Sequence, residues 1–273
     1  MKEEEFIMKK NWFKWVLDLA MAVVIVLLFN KNATGENLHE IIGLALFAAF
    51  ALHLVLNAKW IGGVTKKFFG KMPARTRAIY IIDFLLVISW AVCAVTAVMI
   101  SKSVFSFHAG GQMGEVIHKF SAACGLLLFG LHIGLHRQFF GSMFARLVKI
   151  PRKAGIAIGT VLTVVLLLFG FYSMTTTQYL SWLSGPFTAS SMEGGMENGH
   201  GMEKPGENAS SGDSSAAPRM NGKMNGNMGG EKGMASSPAA VPLTIARFFS
   251  IAYVFAFAAG LLDRFLNRKE KTE

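Results

Sequence analysis

Long apolar runs alternate with short basic links along most of this chain, and the runs set the expected architecture. Six of them are long enough to cross a bilayer: about Trp12–Phe29, Leu38–Leu56, Ile79–Ile100, Glu115–His136, Ala154–Ser173 and Leu243–Leu262. A helix rises about 1.5 Å per residue, so a hydrocarbon core of about 30 Å takes about 20 residues. No water inside a bilayer satisfies backbone groups, so a spanning apolar run of this kind reads as a helix. The expected fold class is all-α: a polytopic membrane protein of six transmembrane helices, a four-helix bundle followed by two further helices. The second and fourth runs carry polar ends. The N-terminal MKEEEFIMKK leads into a run with no small-residue cleavage site, so it is read as an uncleaved first helix.

The link Met174–Pro242 breaks this pattern, being low in large apolar residues and rich in Gly, Ser, Asn and Met. Its part 190–240 is expected to be disordered and extracytoplasmic. Its start, TQYLSWLSGPF, suits the outer interface, where Tyr179 and Trp182 can lie with one face apolar and one polar. The organisation read from these shifts is a duplicated-hairpin membrane domain over 1–140, then a basic link, fifth helix and outer interfacial segment over 141–189. The Met/Gly/Ser-rich link follows over 190–240, and the sixth helix and tail over 241–273.

Composition supports the membrane reading. Of 273 residues, 52% are hydrophobic and 16% charged, against about 25% charged in a soluble domain. The net charge of +10 is explained by where the cations fall. Lys2, Lys9, Lys10 and Lys14 lie before or at the first run, and Lys59, Lys66, Lys67, Lys71, Arg75 and Arg77 between the second and third. Arg137, Arg146, Lys149, Arg152 and Lys153 follow the fourth, and Arg264, Arg268, Lys269 and Lys271 the sixth. The first two alternate links hold only Lys31 and Lys102. Positive residues stay cytoplasmic, so both termini are expected in the cytoplasm and no nucleic-acid partner is called for. Trp12, Trp15, Trp60 and Tyr80 fall at the same predicted boundary.

The first four runs repeat one hairpin. WVLD at Trp15–Asp18 opens the first as YIID at Tyr80–Asp83 opens the third. FALHLVLN at Phe50–Asn57 aligns without a gap to FGLHIGLH at Phe129–His136. Each second helix carries two histidines fourteen positions apart, His39 with His53 and His118 with His132. Fourteen residues rise about 21 Å and return to within roughly 40° of the same face. A parallel repeat then pairs His39 with His118 near the outside and His53 with His132 near the cytoplasm. Imidazoles in two facing pairs at two depths form the ligand set for two haem b groups, each held by two axial histidines. Isolated membrane histidines can instead bond a neighbouring helix. Zinc or copper fits less well, because the pairs are about 21 Å apart and each depth lacks the further ligands of a tetrahedral site.

Other polar and small residues have weaker expectations. Gly43, Gly125, Gly130 and Gly134 suit either a flat ligand or close helix packing. His136, one turn past His132 and aligned with Asn57, is assigned a supporting or interfacial role, and His108 a loop position. Asp18 and Asp83 are expected to pair with a basic residue, or more sharply to serve a quinone or proton site. Cys93 and Cys124 have no CxxC or CxxCH context and read as core residues. The methionines of 190–240, with His200 among them, have no fixed ligand spacing, although thioethers suit Cu(I).

The run LLFN…TG..LHE and the paired histidines resemble the flavinylation-associated cytochrome domain, a bacterial membrane family. The resemblance covers about Trp12 to His136. It implies haem b ligation by His39, His53, His118 and His132, and electron transfer across the membrane to extracytoplasmic proteins that carry covalently attached FMN. No D-G-x-[ST]-[GA]-A-T pattern occurs in this chain, so the FMN carrier would be another protein. A quinone or a membrane dehydrogenase stands as a further partner. The chain is thus expected to be an electron-transfer component of a membrane redox system. Two other classes remain: a copper-handling membrane protein using the Met-rich link and the intramembrane histidines, and a non-redox membrane anchor.

Overall fold

The structure is a computed structural model and describes residues 2–105, 109–138, 141, 151–196 and 240–269. Side chains are described within these ranges except for 2–11, 32–33, 152, 189–196, 240 and 267–269. The chain divides into Met1–Pro186 with Ser236–Glu273, and Phe187–Ala235; the elements below belong to the first unit, apart from the end of α7.

Every regular element among the described residues is helical. In order they are α1 (Lys2–Leu28), α2 (Lys31–Thr34), α3 (Glu36–Lys67), α4 (Ala74–Ile100), α5 (Gly111–Leu135), α6 (Arg152–Thr176), α7 (Tyr179–Met196) and α8 (Ala240–Lys269). Among the described residues five helices are long and apolar enough to cross a membrane: α3, α4, α5, α6 and α8. The first predicted span lies on α1, whose side chains are described only from Trp12 onward. The helix starts follow local chemistry. Pro73 and Pro151 precede α4 and α6, with φ of −53° and −55°, where a missing N–H costs nothing. Gly35, at φ 74°, turns the chain from α2 into α3.

Each predicted hairpin exists as a packed pair, α1 on α3 and α4 on α5. The histidine-bearing helices α3 and α5 are not among the pairs that pack closely. The second hairpin is instead backed by α8, which packs on both α5 and α6. The main apolar cluster joins Ile25 and Val26 of α1, Leu46 of α3, Leu126 of α5 and Ile251 of α8. Facing away from it, Val55 is 72% exposed, Leu168 68% and Val161 65%. Apolar side chains exposed to this extent belong against lipid. The protein is therefore a helical membrane protein.

Packing settles the surroundings of the α5 glycines and of Tyr179. Gly130 and Gly134 do not make room for a ligand beside α5. A Cβ at Gly130 would collide with the Ala252 carbonyl oxygen, and one at Gly134 with that of Ala256. They are the surface on which α8 sits, as small residues four apart allow two backbones to meet. Gly125 likewise faces Trp90 and Ser89, at 3.6 Å. Tyr179 packs inside the protein. It is fully buried, and its hydroxyl donates to the Ala123 carbonyl at 3.1 Å. Burial pushes that phenol above its ordinary range, so it stays a donor. Trp182 stacks on Phe248 with centroids 6.0 Å apart, and Phe248 on Phe29 at 4.6 Å. The start of α7 is thus pinned to α1, α5 and α8.

The other fastening of α8 is electrostatic. Asp263 is fully buried and accepts from Arg75 Nε at 2.5 Å and from Arg137 Nη2 at 3.2 Å. Arg75 also donates to the Leu135 carbonyl at 3.0 Å, so one carboxylate ties together α4, the end of α5 and α8. Asp263→Ala leaves two arginines without their counter-ion. It is expected to cost about 3 kcal/mol, the low end for a broken buried pair because both arginines keep some solvent contact. Gly134→Val is expected to cost about 1–3 kcal/mol by forcing α5 and α8 apart. Gly43→Val, with nothing within 4 Å of its Cβ, should change little. Thermal unfolding in detergent reads all three.

Candidate functional site

The two hairpins enclose a cavity of about 1190 Å³ lined from α1, α3, α4 and α5. His39, His53, His118 and His132 all line it, and so does His136. The helical spacing that places both histidines of α3 on one face, and both of α5 on one face, turns the two faces toward the same space.

At one end, two histidines are held in the same way. His53 Nδ1 donates to Asp18 Oδ1 at 2.6 Å, and His132 Nδ1 to Asp83 Oδ1 at 2.7 Å. A carboxylate acceptor places the proton on Nδ1 and leaves Nε2 as an acceptor, which in His53 lies 3.4 Å from Asn57 Nδ2. The repeat extends to the next turn. Lys14 Nζ donates to the Leu56 carbonyl at 2.8 Å, as Arg75 donates to the aligned Leu135 carbonyl at 3.0 Å. Asn57 takes Lys14 on its Oδ1 at 3.0 Å and donates to the His53 carbonyl at 2.9 Å. His136, its counterpart, lays its ring against His132 with centroids 4.7 Å apart. Asp83, His132 and His136 each offer a donor atom within 4.8 Å of the others.

The other end is less polar. His118 Nδ1 donates to the Cys93 carbonyl at 3.1 Å, with Thr96 Oγ1 at 3.4 Å and Cys93 Sγ at 3.6 Å. His39 Nδ1 is buried and has no hydrogen-bond partner among the described residues. His39 and His118 lie within electrostatic range of one another, and both within range of Lys31. The mouth is folded over by Glu40. Its carboxylate accepts from Ser101 Oγ at 2.8 Å, Ser103 Oγ at 2.7 Å and the backbone N–H groups of Lys102, Ser103 and Val104. Glu36 takes Lys31 at 3.1 Å and Lys102 at 3.4 Å beside it.

Comparison with family models, with curated proteins and with solved structures finds no match for this chain.

The residues present fit a flat, apolar, iron-containing ligand on three counts. The cavity exceeds the about 300–1,000 Å³ of a single small-molecule pocket. Its walls are apolar, with Phe50 and Trp90 at 6.5 Å between centroids. Each end supplies imidazoles, and His39 has a buried Nδ1 without a hydrogen-bond partner among the described residues. Gly43 opens onto this space with nothing near its missing Cβ. Cys93 and Cys124 are free thiols, and Cys93 takes part through its carbonyl.

The histidines were visible from spacing. The identity of their partners was not, although the repeat signalled it: Asp18 and Asp83 occupy aligned positions and contact the aligned histidines. Asp263 was missed, though a lone carboxylate in an apolar run is a signal of its own. His108 and His200, and the methionines of 190–240 other than Met192 and Met196, lie outside the described residues; those two fall on α7, without described side chains. Glu40→Ala removes five acceptor contacts. It should speed amide hydrogen exchange at Lys102, Ser103 and Val104 while the amides of α4 and α5 stay protected.

Proposed function

We propose that this chain is a two-haem b-type membrane cytochrome that carries electrons between the two faces of a bacterial cytoplasmic membrane. The observation that carries the reading is the convergence of His39, His53, His118 and His132 on one cavity between two hairpins that do not close on each other. His39 with His118, and His53 with His132, would be the axial ligands. Bound haem b supplies reversible one-electron chemistry at iron.

The chain's own residues do the rest. Asp18 and Asp83 hold the Nδ1–H tautomer and the ring orientation of His53 and His132. The Cys93 carbonyl does the same for His118. Gly43 leaves a face of α3 open, and the apolar walls exclude water. Fourteen residues of helix separate the two ligand depths by about 21 Å, a span suited to relaying charge across the membrane. In this reading α1 is the first of six spans, both termini are cytoplasmic, and the Glu40 end faces outward. The acceptor there is an extracytoplasmic protein carrying FMN, as the resemblance to the flavinylation-associated cytochrome domain implies. The donor at the Asp18 end is a quinone or a membrane dehydrogenase.

One observation favours a second reading. Asp83, His132 and His136 form a three-donor N/O set of a kind that takes a transition-metal ion. Membrane copper or metal handling would then use these residues in place of haem.

The deciding experiment is a reduced-minus-oxidised spectrum of the purified protein with haem and metal quantified together. The cytochrome reading expects b-type bands and about two haems per chain. His39→Ala or His118→Ala should remove one haem, His53→Ala or His132→Ala the other, and His136→Ala neither. Colourless protein from iron-replete cells, holding a stoichiometric metal lost in His136→Ala, overturns the cytochrome reading in favour of the second.

A further inference from the structure

Resting on the two-haem reading, we propose that the cavity is built with a fixed redox gradient. The site between His53 and His132 has the lower potential, so a single electron in the protein comes to rest between His39 and His118. Asp18 and Asp83 are the positioning residues that set this order.

The ground is an asymmetry among groups that touch the histidines rather than the ligand. At one end both imidazoles donate Nδ1–H to a carboxylate, at 2.6 Å and 2.7 Å. Hydrogen bonds to an ionised acceptor are roughly twice as strong as neutral ones, and such partners raise the basicity of a metal-ligating imidazole. A more basic ligand and nearby negative charge both favour the ferric state, which carries one more positive charge than the ferrous. At the other end His118 Nδ1 meets only uncharged groups, the Cys93 carbonyl at 3.1 Å, Thr96 Oγ1 at 3.4 Å and Cys93 Sγ at 3.6 Å, and His39 Nδ1 meets no described partner.

Neighbouring charges at that other end largely offset one another. Lys31 lies within range of both His39 and His118, but it is paired at 3.1 Å with Glu36, which is itself within range of His39. Glu40, the nearest opposing charge, is taken up by the 101–104 loop, while Glu115 pairs with Lys119 at 3.6 Å. At the carboxylate end two cations oppose the gradient. Arg75 is held by Asp263, and Lys14 is engaged by the Leu56 carbonyl and Asn57. Neither cation takes Asp18 or Asp83 from its histidine. In a low-dielectric interior these differences are little screened. The transfer itself is balanced within the protein: one iron is oxidised, the other reduced by the same electron, and no bond is made or broken.

The test is a potentiometric titration of the full-length protein, followed optically, for the wild type, His39→Ala, Asp18→Asn and Asp83→Asn. The wild type should show two waves, and the wave that survives in His39→Ala should be the lower. Asp18→Asn and Asp83→Asn should each raise that wave while leaving the other in place. A tenfold shift in the redox equilibrium corresponds to about 59 mV for one electron. Asp18→Glu, which keeps the charge, should restore most of the difference. If the surviving wave is the higher one, or if the asparagine variants move both waves alike or neither, the gradient is overturned and the two-haem reading stands. If an asparagine variant loses its haem, the order of the waves in the wild type and His39→Ala still decides. Colourless wild-type protein removes the two-haem reading itself.

Discussion

An imidazole inside a bilayer must have both of its nitrogens accounted for. The surrounding lipid offers neither donor nor acceptor, and an unanswered polar group there costs several kcal/mol. This constraint shapes the protein. His53 and His132 each spend one nitrogen on an aspartate from the preceding helix of their own hairpin, and His118 spends one on a backbone carbonyl of α4. These contacts fix the rotation of α3 against α1 and of α5 against α4. With the rotations fixed, all four histidines turn toward one space, where His53 Nε2 meets Asn57 Nδ2 at 3.4 Å and His39 is the exception, its buried Nδ1 without a described partner.

Holding two hairpins apart requires support from behind. Here α8 supplies it, seated on the glycine surface of α5 and against α6, with Asp263 drawing Arg75 and Arg137 together at the end of the bundle. The aromatic cluster of Phe29, Trp182 and Phe248 and the buried Tyr179 fasten the other part of α8 to α1 and α7. The helix that holds α5 from behind, on the Gly130 and Gly134 face, thus comes from far along the chain and lines none of the cavity itself.

Much of this was legible in the sequence, and the reasons it stopped are physical. Hydrophobic length places the spans, and the fourteen-residue spacing places the histidines on one face, because both depend only on helix geometry. The duplication pairs Asp18 with Asp83, yet their contacts depend on interhelical rotation, which periodicity alone does not specify. Gly130 and Gly134 were ambiguous because a missing side chain admits a flat ligand and a neighbouring backbone equally well. Their match, Ala252 and Ala256, lies in a helix separated from them by the long polar link. The amphipathic ring of Tyr179 suggests interfacial depth, but the Ala123 carbonyl that also accepts its hydroxyl has no sequence signature.

The buried carboxylate of α8 has a consequence for how the molecule is made. Asp263 follows Arg137 by 126 positions, so during synthesis both hairpins are in place while Arg75 and Arg137 still wait for their anion. Until then the α5 surface at Gly130 and Gly134 is bare. Ribosomal order therefore leaves an interval in which two cations and a glycine seam stay uncovered inside the membrane, and arrival of the last helix covers both at once.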